Sequence, residues 1–282
     1  MYEVVRARTL APEVRELRIR APLVARSRRP GQFVIVRAAA DGERIPLTIA
    51  DADPDEGWIS VIVQGVGKTT RVLNLFEEGD VLTDVAGPLG TPSEIACFGT
   101  VVVIGGGVGT AIAYPSARAL AAAGNRVVAI IGGRSREYVL LEDELRAVVG
   151  EVHPVTDDGS YGEHGLVTDV LRRILDEGAW PDLVVAIGPI PMMAAVAELT
   201  RPFGIRTVVS LNPIMVDGTG MCGGCRVRVG GESRFACVDG PEFDAHQVDF
   251  DLLTRRNTAY REFELRRDRE LAACLGTGPE VG

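Results

Sequence analysis

The chain has 282 residues, 46% hydrophobic and 24% charged, and its 39 acidic against 30 basic side chains leave a formal charge of −9. That length suits roughly two domains of about 150 residues, the acidic balance fits poorly with a general nucleic-acid binder, and no apolar run reaches the roughly 18–20 residues a membrane span needs. The N-terminal stretch MYEVVRARTLAPEV lacks the long apolar core of a signal peptide, so a cytoplasmic protein with no membrane span and no nucleic-acid partner is expected.

Residues 1–96 read as an antiparallel β-barrel. Short β-rich runs, Tyr2–Ala7, Val14–Ile19, Gln32–Val36 and Trp58–Val63, are separated by turn signals at Pro30-Gly31, Asp41-Gly42 and Asp53-Pro54. Strands of that length and spacing suit a small barrel. One helix is expected over Thr69–Glu78, where Val72, Leu73, Leu75 and Phe76 are apolar and Gly79 is the stop. Arg44-Ile-Pro-Leu-Thr48 puts a basic residue and a hydroxyl four apart on a strand, hence on one face; alone, the pattern is that of an exposed barrel strand. Gln64-Gly-Val-Gly-Lys-Thr-Thr70 looks at first like a phosphate loop. The Walker spacing needs glycine five positions before Gly67, and Ile62 stands there, which excludes an NTPase. Its strand–Gly–helix junction suits either an anion at a helix N-terminus or a plain N-cap.

From Thr100 the period changes, and residues 97–211 read as a parallel-sheet α/β nucleotide-binding domain. Thr100–Ile104 is a continuous apolar run, as a strand buried on both faces requires. Gly105-Gly-Gly-Val-Gly109 follows, then an Ala-rich helical stretch from Thr110 to Ala123 closed by Gly124. Further strands are expected at Arg126–Ile131, Glu151–Val155, Leu183–Ile187 and Ile205–Ser210, with a helix near Glu142–Val149. Glycines between a buried strand and a helix admit a pyrophosphate to the helix N-terminus, although Thr110 holds the last glycine position of G-x-G-x-x-G. The alternative is a tight strand–helix turn. No acidic residue ends the second strand; Gly132-Gly133-Arg134-Ser135 follows it, and an arginine there could meet a 2′-phosphate or simply lie at the surface.

Residues 212–282 read as a small cluster domain with a charged, partly exposed helical tail over Asp251–Glu270. Of five cysteines, Cys222, Cys225 and Cys237 fall within sixteen residues, and an odd count without a signal peptide argues against a disulfide framework. With Asp217 the spacing is D-x4-C-x2-C-x11-C. A plant-type [2Fe–2S] site begins C-x4-C-x2-C, so an aspartate stands where the first thiolate would be. Gly218, Gly220, Gly223 and Gly224 let the backbone wrap closely and aim N–H groups at sulfides. A zinc knuckle is also compatible with three cysteines and an aspartate. Cys97 and Cys274 stand alone, His153, His164 and His246 lie scattered in turns, and Trp58 and Trp180 read as packing residues.

Together these segments resemble the ferredoxin–NADP reductase superfamily, and within it the electron-transfer subunits that carry a C-terminal [2Fe–2S] cluster. Two families qualify: the electron-transfer subunit of bacterial dihydroorotate dehydrogenase, and the small subunit of NADH-dependent reduced ferredoxin:NADP oxidoreductase, of sulfide dehydrogenase type. The run from Ser210 through LNPIMVDGTGMCGGCRVRVGG to Glu232, with FACVDGPEFDAHQVDFD, is similar to the second nearly residue for residue, and the resemblance covers almost the whole chain. The dihydroorotate type has a four-cysteine pattern, so Asp217 favours the other family.

The resemblance implies site residues at matching positions. Arg44, Pro46, Leu47 and Thr48 correspond to the flavin motif, with Arg44 on the FAD pyrophosphate and Thr48 near the isoalloxazine or ribityl chain. Gly65, Gly67, Lys68, Thr69 and Thr70 correspond to the FAD phosphate turn, and Gly105, Gly106, Gly107, Val108 and Gly109 to the nicotinamide dinucleotide turn. Asp157 and Asp158, and Gly188, Pro189 and Met192, are similar to segments lining the nicotinamide site; Arg134 and Ser135 leave NAD(H) and NADP(H) both open. Asp217, Cys222, Cys225 and Cys237 correspond to the cluster ligands. The implied cofactors are FAD, NAD(H) or NADP(H) and a [2Fe–2S] cluster. The implied partners are a larger flavin and [4Fe–4S] subunit and, through that complex, ferredoxin. Cubane clusters belong to the partner because this chain has no C-x2-C-x2-C-x3-C run.

Overall fold

The structure is a computed structural model that describes the backbone of residues 2–275 and the side chains of residues 2–270. Its first sheet has seven antiparallel strands: β1 (Tyr2–Ala11), β2 (Val14–Arg20), β3 (Phe33–Arg37), β4 (Arg44–Asp53), β5 (Trp58–Gln64), β6 (Val81–Leu82) and β7 (Asp84–Leu89). They lie in the order β6-β1-β2-β5-β4-β3-β7. The two edge strands, β6 and β7, are separated in sequence by Thr83 alone, so the sheet curls until its edges nearly meet. Period-2 alternation makes this possible: Ile59, Val61 and Val63 on β5 and Leu17 and Ile19 on β2 are fully buried and fill the barrel.

Two short helices accompany the barrel, α1 (Pro22–Ser27) and α2 (Lys68–Leu73). The sequence pattern carries α2 on to Glu78, but it ends at Leu73. Asn74 leaves the helix to donate its side-chain amide to Glu13 O at 2.7 Å, and Phe76 packs against the barrel core instead of extending a helical face.

The second sheet is built on parallel strands β8 (Thr100–Gly106), β9 (Arg126–Gly133), β10 (Glu151–Thr156), β11 (Glu163–His164), β12 (Leu183–Ile187) and β13 (Arg206–Ser210). Helices α3 (Gly109–Ala122) and α4 (Glu142–Arg146) cover one face, and α5 (Val167–Asp176) and α6 (Ile190–Thr200) the other. The strand β8 shows the division: Val101 and Val103 pack under Ala113, Ala117 and Leu120 of α3, whereas Val102 and Ile104 face Val170, Leu171 and Val196. The continuous apolar run read from the sequence is thus buried on both sides.

The C-terminal segment forms a hairpin, β14 (Arg226–Val229) with β15 (Glu232–Phe235), then β16 (Glu242–Asp244), α7 (Phe250–Asn257) and α8 (Arg261–Leu275). The expected single tail helix is two helices. The strand β16 pairs antiparallel with β13 through Val208–Asp244, Val209–Phe243 and Ser210–Glu242. Residues beyond Leu211 therefore complete the edge of the second sheet rather than standing apart from it. Trp180, expected to pack, is 60% exposed and meets Phe203 edge-on at 5.6 Å. No helix among the described residues is long and apolar enough to cross a membrane.

Side chains of the barrel and the second sheet meet at two junctions, and the C-terminal segment joins the second. Arg118 of α3 donates to Asp51 of β4 at 2.7 Å, with the Arg28 guanidinium 3.6 Å from the same carboxylate. The Ser93 hydroxyl, between barrel and second sheet, donates to Glu242 of β16 at 2.6 Å and lies 3.0 Å from the Ser116 hydroxyl of α3.

The carboxyl head of Glu242 is enclosed there, and burial raises its pKa above the ordinary carboxyl value. The folded chain thus holds a proton more tightly than the unfolded one. The cost of burying the charge is absent below the unfolded pKa, grows as pH rises through it and is complete above the folded pKa. Glu242→Gln removes that cost and keeps an acceptor for Ser93. The variant is expected to melt above the parent near pH 8 and to lose that advantage toward about pH 3, where the parent is protonated in both states. A pH-independent difference in melting temperature would contradict this account.

Candidate functional site

The order β11-β10-β9-β8-β12-β13 places the first strand of the domain, β8, in the middle. From β8 the chain winds outward through β9 and β10, then returns to add β12 on the other side. The switch point is therefore between β8 and β12, where open α/β sheets bind ligands beyond the carboxyl ends of their strands.

Close packing at that point explains the glycines. A Cβ on Gly109 would lie 2.2 Å from the Ile187 carbonyl at the end of β12, and one on Gly106 would lie 2.5 Å from the Met192 sulfur. A Cβ on Gly105 would strike the Thr110 backbone at 2.5 Å. The end of β8 and the start of α3 can lie this close to β12 and α6 only with glycine at positions 106 and 109. The first turn of α3 then presents the unpaired N–H groups that every helix N-terminus has.

Above the switch point is a cavity of about 1110 Å³, beyond the roughly 300–1,000 Å³ of a typical single small-molecule site. The barrel supplies Pro46, Leu47, Thr48, Gly65 and Thr70 to its wall; the second sheet supplies Gly106, Gly107, Val108, Gly109, Arg134, Asp157, Gly188, Pro189 and Met192. These residues, singled out from six separate stretches of sequence, line one space.

Seven others from the same stretches do not line it: Arg44, Gly67, Lys68, Thr69, Gly105, Ser135 and Asp158. Gly105 lies beneath Thr110. Thr69 donates to Glu43 at 2.8 Å, and Asp158 accepts from the backbone of Ser160 at 2.9 Å. The Ser160 hydroxyl and backbone hold the Asp158 carboxyl below the usual range. Arg44 is turned from the cavity; its Nε donates to the Val216 carbonyl at 3.2 Å. The sequence reading missed Arg71 and Tyr138, both in the cavity wall. Tyr138 had a usable signal, an aromatic four residues after Arg134; the Arg134 guanidinium lies 4.8 Å from its ring centroid.

The cysteine loop lies beside the barrel. Gly218 has a φ of +83°, and a Cβ there would sit 2.8 Å from both Ile35 of β3 and Leu89 of β7. The β14–β15 hairpin accounts for the twelve-residue separation of Cys225 and Cys237: it leaves from one and returns to the other, and Ala236 N donates to Cys225 O at 3.1 Å. Both thiols are buried, with Sγ–Sγ 3.1 Å, while Cys222 is exposed. Burial, with Cys225 as neighbour, pushes the Cys237 thiol up to about 12. Cys222 is shifted the other way, chiefly by the Gly224 N–H at 3.5 Å and also by the Asp217 backbone. Asp217 accepts from the Thr219 hydroxyl, from Thr219 N at 3.0 Å and from Met221 N at 3.4 Å, which hold it below the usual carboxylate range.

Among the described residues no three Cys, His, Asp or Glu side chains converge on one ion. Backbone N–H groups aimed at Cys222, in a loop of positive-φ glycines, form the surroundings sulfides require. Cys97 is exposed, and Cys274 lies outside the described side chains.

Comparison with known proteins agrees with this geometry. Residues 212–249 match the model of the iron-sulfur cluster binding domain of dihydroorotate dehydrogenase B. The chain is 49% identical over 264 residues to a dihydroorotate dehydrogenase B (NAD(+)) electron transfer subunit homolog of Thermotoga maritima, covering 94% of this chain and 93% of that protein. It is 38% identical to the dihydroorotate dehydrogenase B (NAD(+)) electron transfer subunit of Bacillus caldolyticus, over 87% and 96% of the two chains. A solved chain of an NADH-dependent reduced ferredoxin-NADP oxidoreductase superposes with a TM-score of 0.89 at 46% identity, over 95% of this chain and 97% of the other. The chain belongs to this family of electron transfer subunits.

In this electron transfer subunit the matched segment contains Asp217, Cys222, Cys225 and Cys237, together with the hairpin that brings the last two together. Gly109→Ala tests the close packing at the switch point. Because its Cβ meets backbone rather than a movable side chain, it is expected to lower stability by about 1–3 kcal/mol in denaturant titration. An unchanged midpoint would mean that the two loops do not constrain each other.

Proposed function

We propose that the chain passes electrons between a nicotinamide dinucleotide, FAD and a [2Fe–2S] cluster, as the small subunit of a ferredoxin:NAD(P) oxidoreductase complex. The observation that carries this reading is the single cavity walled by both barrel and switch point, with the cysteine loop seated on the same barrel. When bound, the nicotinamide supplies electrons in pairs, the cluster takes them singly, and the flavin converts between the two.

The chain's own residues bind and orient. Residues 1–96 would hold FAD along Pro46, Leu47 and Thr48 of β4 and the Gly65–Thr70 turn. Residues 97–211 would hold the nicotinamide dinucleotide, with its pyrophosphate over Gly106–Gly109 at the start of α3 and with Gly188, Pro189 and Met192 forming the wall toward β12. Arg134 and Asp157 border the cavity where β9 and β10 end. Residues 212–282 would hold the cluster through Asp217, Cys222, Cys225 and Cys237. The Gly224 backbone N–H lowers Cys222, which favours its thiolate as a ligand.

Support for a larger complex comes from the relatives, which are named as subunits. The partner is a larger subunit carrying a second flavin and [4Fe–4S] clusters, with ferredoxin reacting through it. Service to a dihydroorotate dehydrogenase has the family model and the names of the relatives in its favour. Asp217 in place of a fourth cysteine favours the first reading, and the superposition on the ferredoxin-NADP oxidoreductase chain is consistent with it.

The test is anaerobic purification with flavin and iron counting. One flavin and about two irons per chain, with an EPR signal on reduction, are expected; zinc without flavin would reject the assignment. A carboxylate donates less electron density to iron than a thiolate, so Asp217→Cys should lower the cluster's midpoint potential. An unchanged midpoint would remove Asp217 from the ligand set.

A further inference from the structure

The strand β4 carries one residue too many for its register with β5. Ile49 lies opposite Val61 and Asp51 opposite Ser60, so Ala50 is the extra residue of a β-bulge. Ile49 and Ala52 both pack toward the barrel core, three positions apart, which strict alternation forbids. The bulge therefore turns Ala50 and Asp51 outward together. Ala50 enters the cavity wall, and Asp51 meets α3.

Two guanidinium groups converge on the Asp51 carboxylate. Arg118 of α3 donates from Nη2 at 2.7 Å, and the Nη2 of Arg28, at the end of α1, stands 3.6 Å from the same oxygen. The Arg28 side chain is only 10% exposed and flanks the carboxylate from the barrel side. Arg118 comes from the second sheet's helix. Its guanidinium lies 5.4 Å from the ring centroid of Tyr114, one turn earlier on α3, which narrows the directions it can take.

What the pair joins matters more than its strength. Pro46, Leu47, Thr48 and Ala50 of β4 line the cavity from the barrel, and Gly109, Ala111 and Ile112 of α3 line it from the second sheet. Asp51 follows the first set directly, and Arg118 lies about two and a half turns from Gly109 along one helix. A partly exposed ion pair contributes little to stability, but this one ties the strand beneath the flavin to the helix beneath the dinucleotide.

We propose that Arg118 and Asp51 are a positioning pair for the reaction in the cavity: their ion pair sets the spacing of its two walls and, through it, the overlap of a bound nicotinamide with the flavin. The inference rests on the reading of β4 as the flavin wall and of the β8–α3 turn as the dinucleotide site. Reduction of the flavin breaks one C–H bond of the dihydronicotinamide and forms one bond at the flavin. The hydride carries both electrons, so the nicotinamide is oxidised as the flavin is reduced. Such a transfer needs reacting atoms about 3–3.5 Å apart, and a misplacement of about 1 Å costs about a hundredfold in rate. Binding of each cofactor to its own wall demands no such spacing.

The test uses the flavin-loaded chain, purified anaerobically, as parent, Arg118→Gln, Arg118→Lys, Asp51→Asn and the double variant Arg118→Gln/Asp51→Asn. NADH and NADPH are each mixed rapidly with the chain. NAD+ and NADP+ are titrated separately, without turnover, against the flavin absorption band. With the nucleotide that bleaches the parent, Arg118→Gln and Asp51→Asn are each expected to lower the limiting rate of flavin reduction about tenfold. Flavin content and the half-saturating concentration should stay within about twofold of the parent's. The oxidised nucleotide should bind as before but perturb the flavin band less. Arg118→Lys keeps the charge and should recover most of both effects, and the double variant should be no slower than either single one. Losses that multiply in the double variant overturn the proposal, since the two residues would then act apart. An unchanged limiting rate and band in the single variants overturn it as well. Lost flavin, or weaker nucleotide binding at an unchanged limiting rate, also overturns it and places the residue in a binding site. Asp51→Asn decides alone where Arg118→Gln does not fold. A parent that holds no flavin, or that neither nucleotide bleaches, fails the functional reading itself, before any variant is compared.

Discussion

Contact between the ends of β8 and β12 governs the geometry of this molecule. With Gly109 against the Ile187 carbonyl and Gly106 against the Met192 side chain, neither position has room for a side chain of its own. The start of α3 is therefore fixed relative to β12, and the helix in turn carries Arg118 to Asp51 on the barrel. The depth of the cavity follows from these two contacts. One sets its floor, and the other holds the barrel wall opposite.

The C-terminal segment is tied to the other two regions at several places. Its strand β16 extends the second sheet, its Glu242 accepts from Ser93, and its Val238 and Gly240 carbonyls accept from the hydroxyl and N–H of Thr91. The cysteine loop rests on β3, β4 and β7 through Gly218 and Arg44. An electron carrier gains from such fixation, since its sites must keep their separation while charge moves among them. A shared apolar core adds to these contacts: Phe33 and Ile35 of the barrel, Val209 of β13 and Met215, Val227 and Leu253 of the C-terminal segment belong to one buried cluster.

Much of this was legible in the sequence where the signal is local. The apolar run Thr100–Ile104 followed by five residues with four glycines could be read as strand, turn and helix, and each glycine proves to have a steric reason or a turn to make. The cysteine spacing was legible because a hairpin of fixed length returns Cys237 to Cys225. The helix α5 was readable as well, since Val167, Val170, Leu171 and Leu175 fall on one face and are buried, though no element was assigned there. What could not be read depends on distant partners. The three residues of β16 have no pattern until β13 lies beside them. Glu242 looks like any surface acid until Ser93 and its surroundings close over it. Arg44 and Thr48 share a face of β4 by period, but the direction of the arginine is decided by a carbonyl from another part of the chain.

The central claim is that both dinucleotides share the cavity and that the cluster loop lies within electronic reach of it. Anaerobic rapid mixing of the oxidised, cofactor-loaded chain with NADH, and separately with NADPH, tests this most directly, with flavin absorbance and the cluster's EPR signal followed on the same samples. The account predicts that one of the two reductants bleaches the flavin band and that the cluster signal then appears in the isolated chain. Bleaching with no cluster signal, or no reaction with either nucleotide, would contradict it.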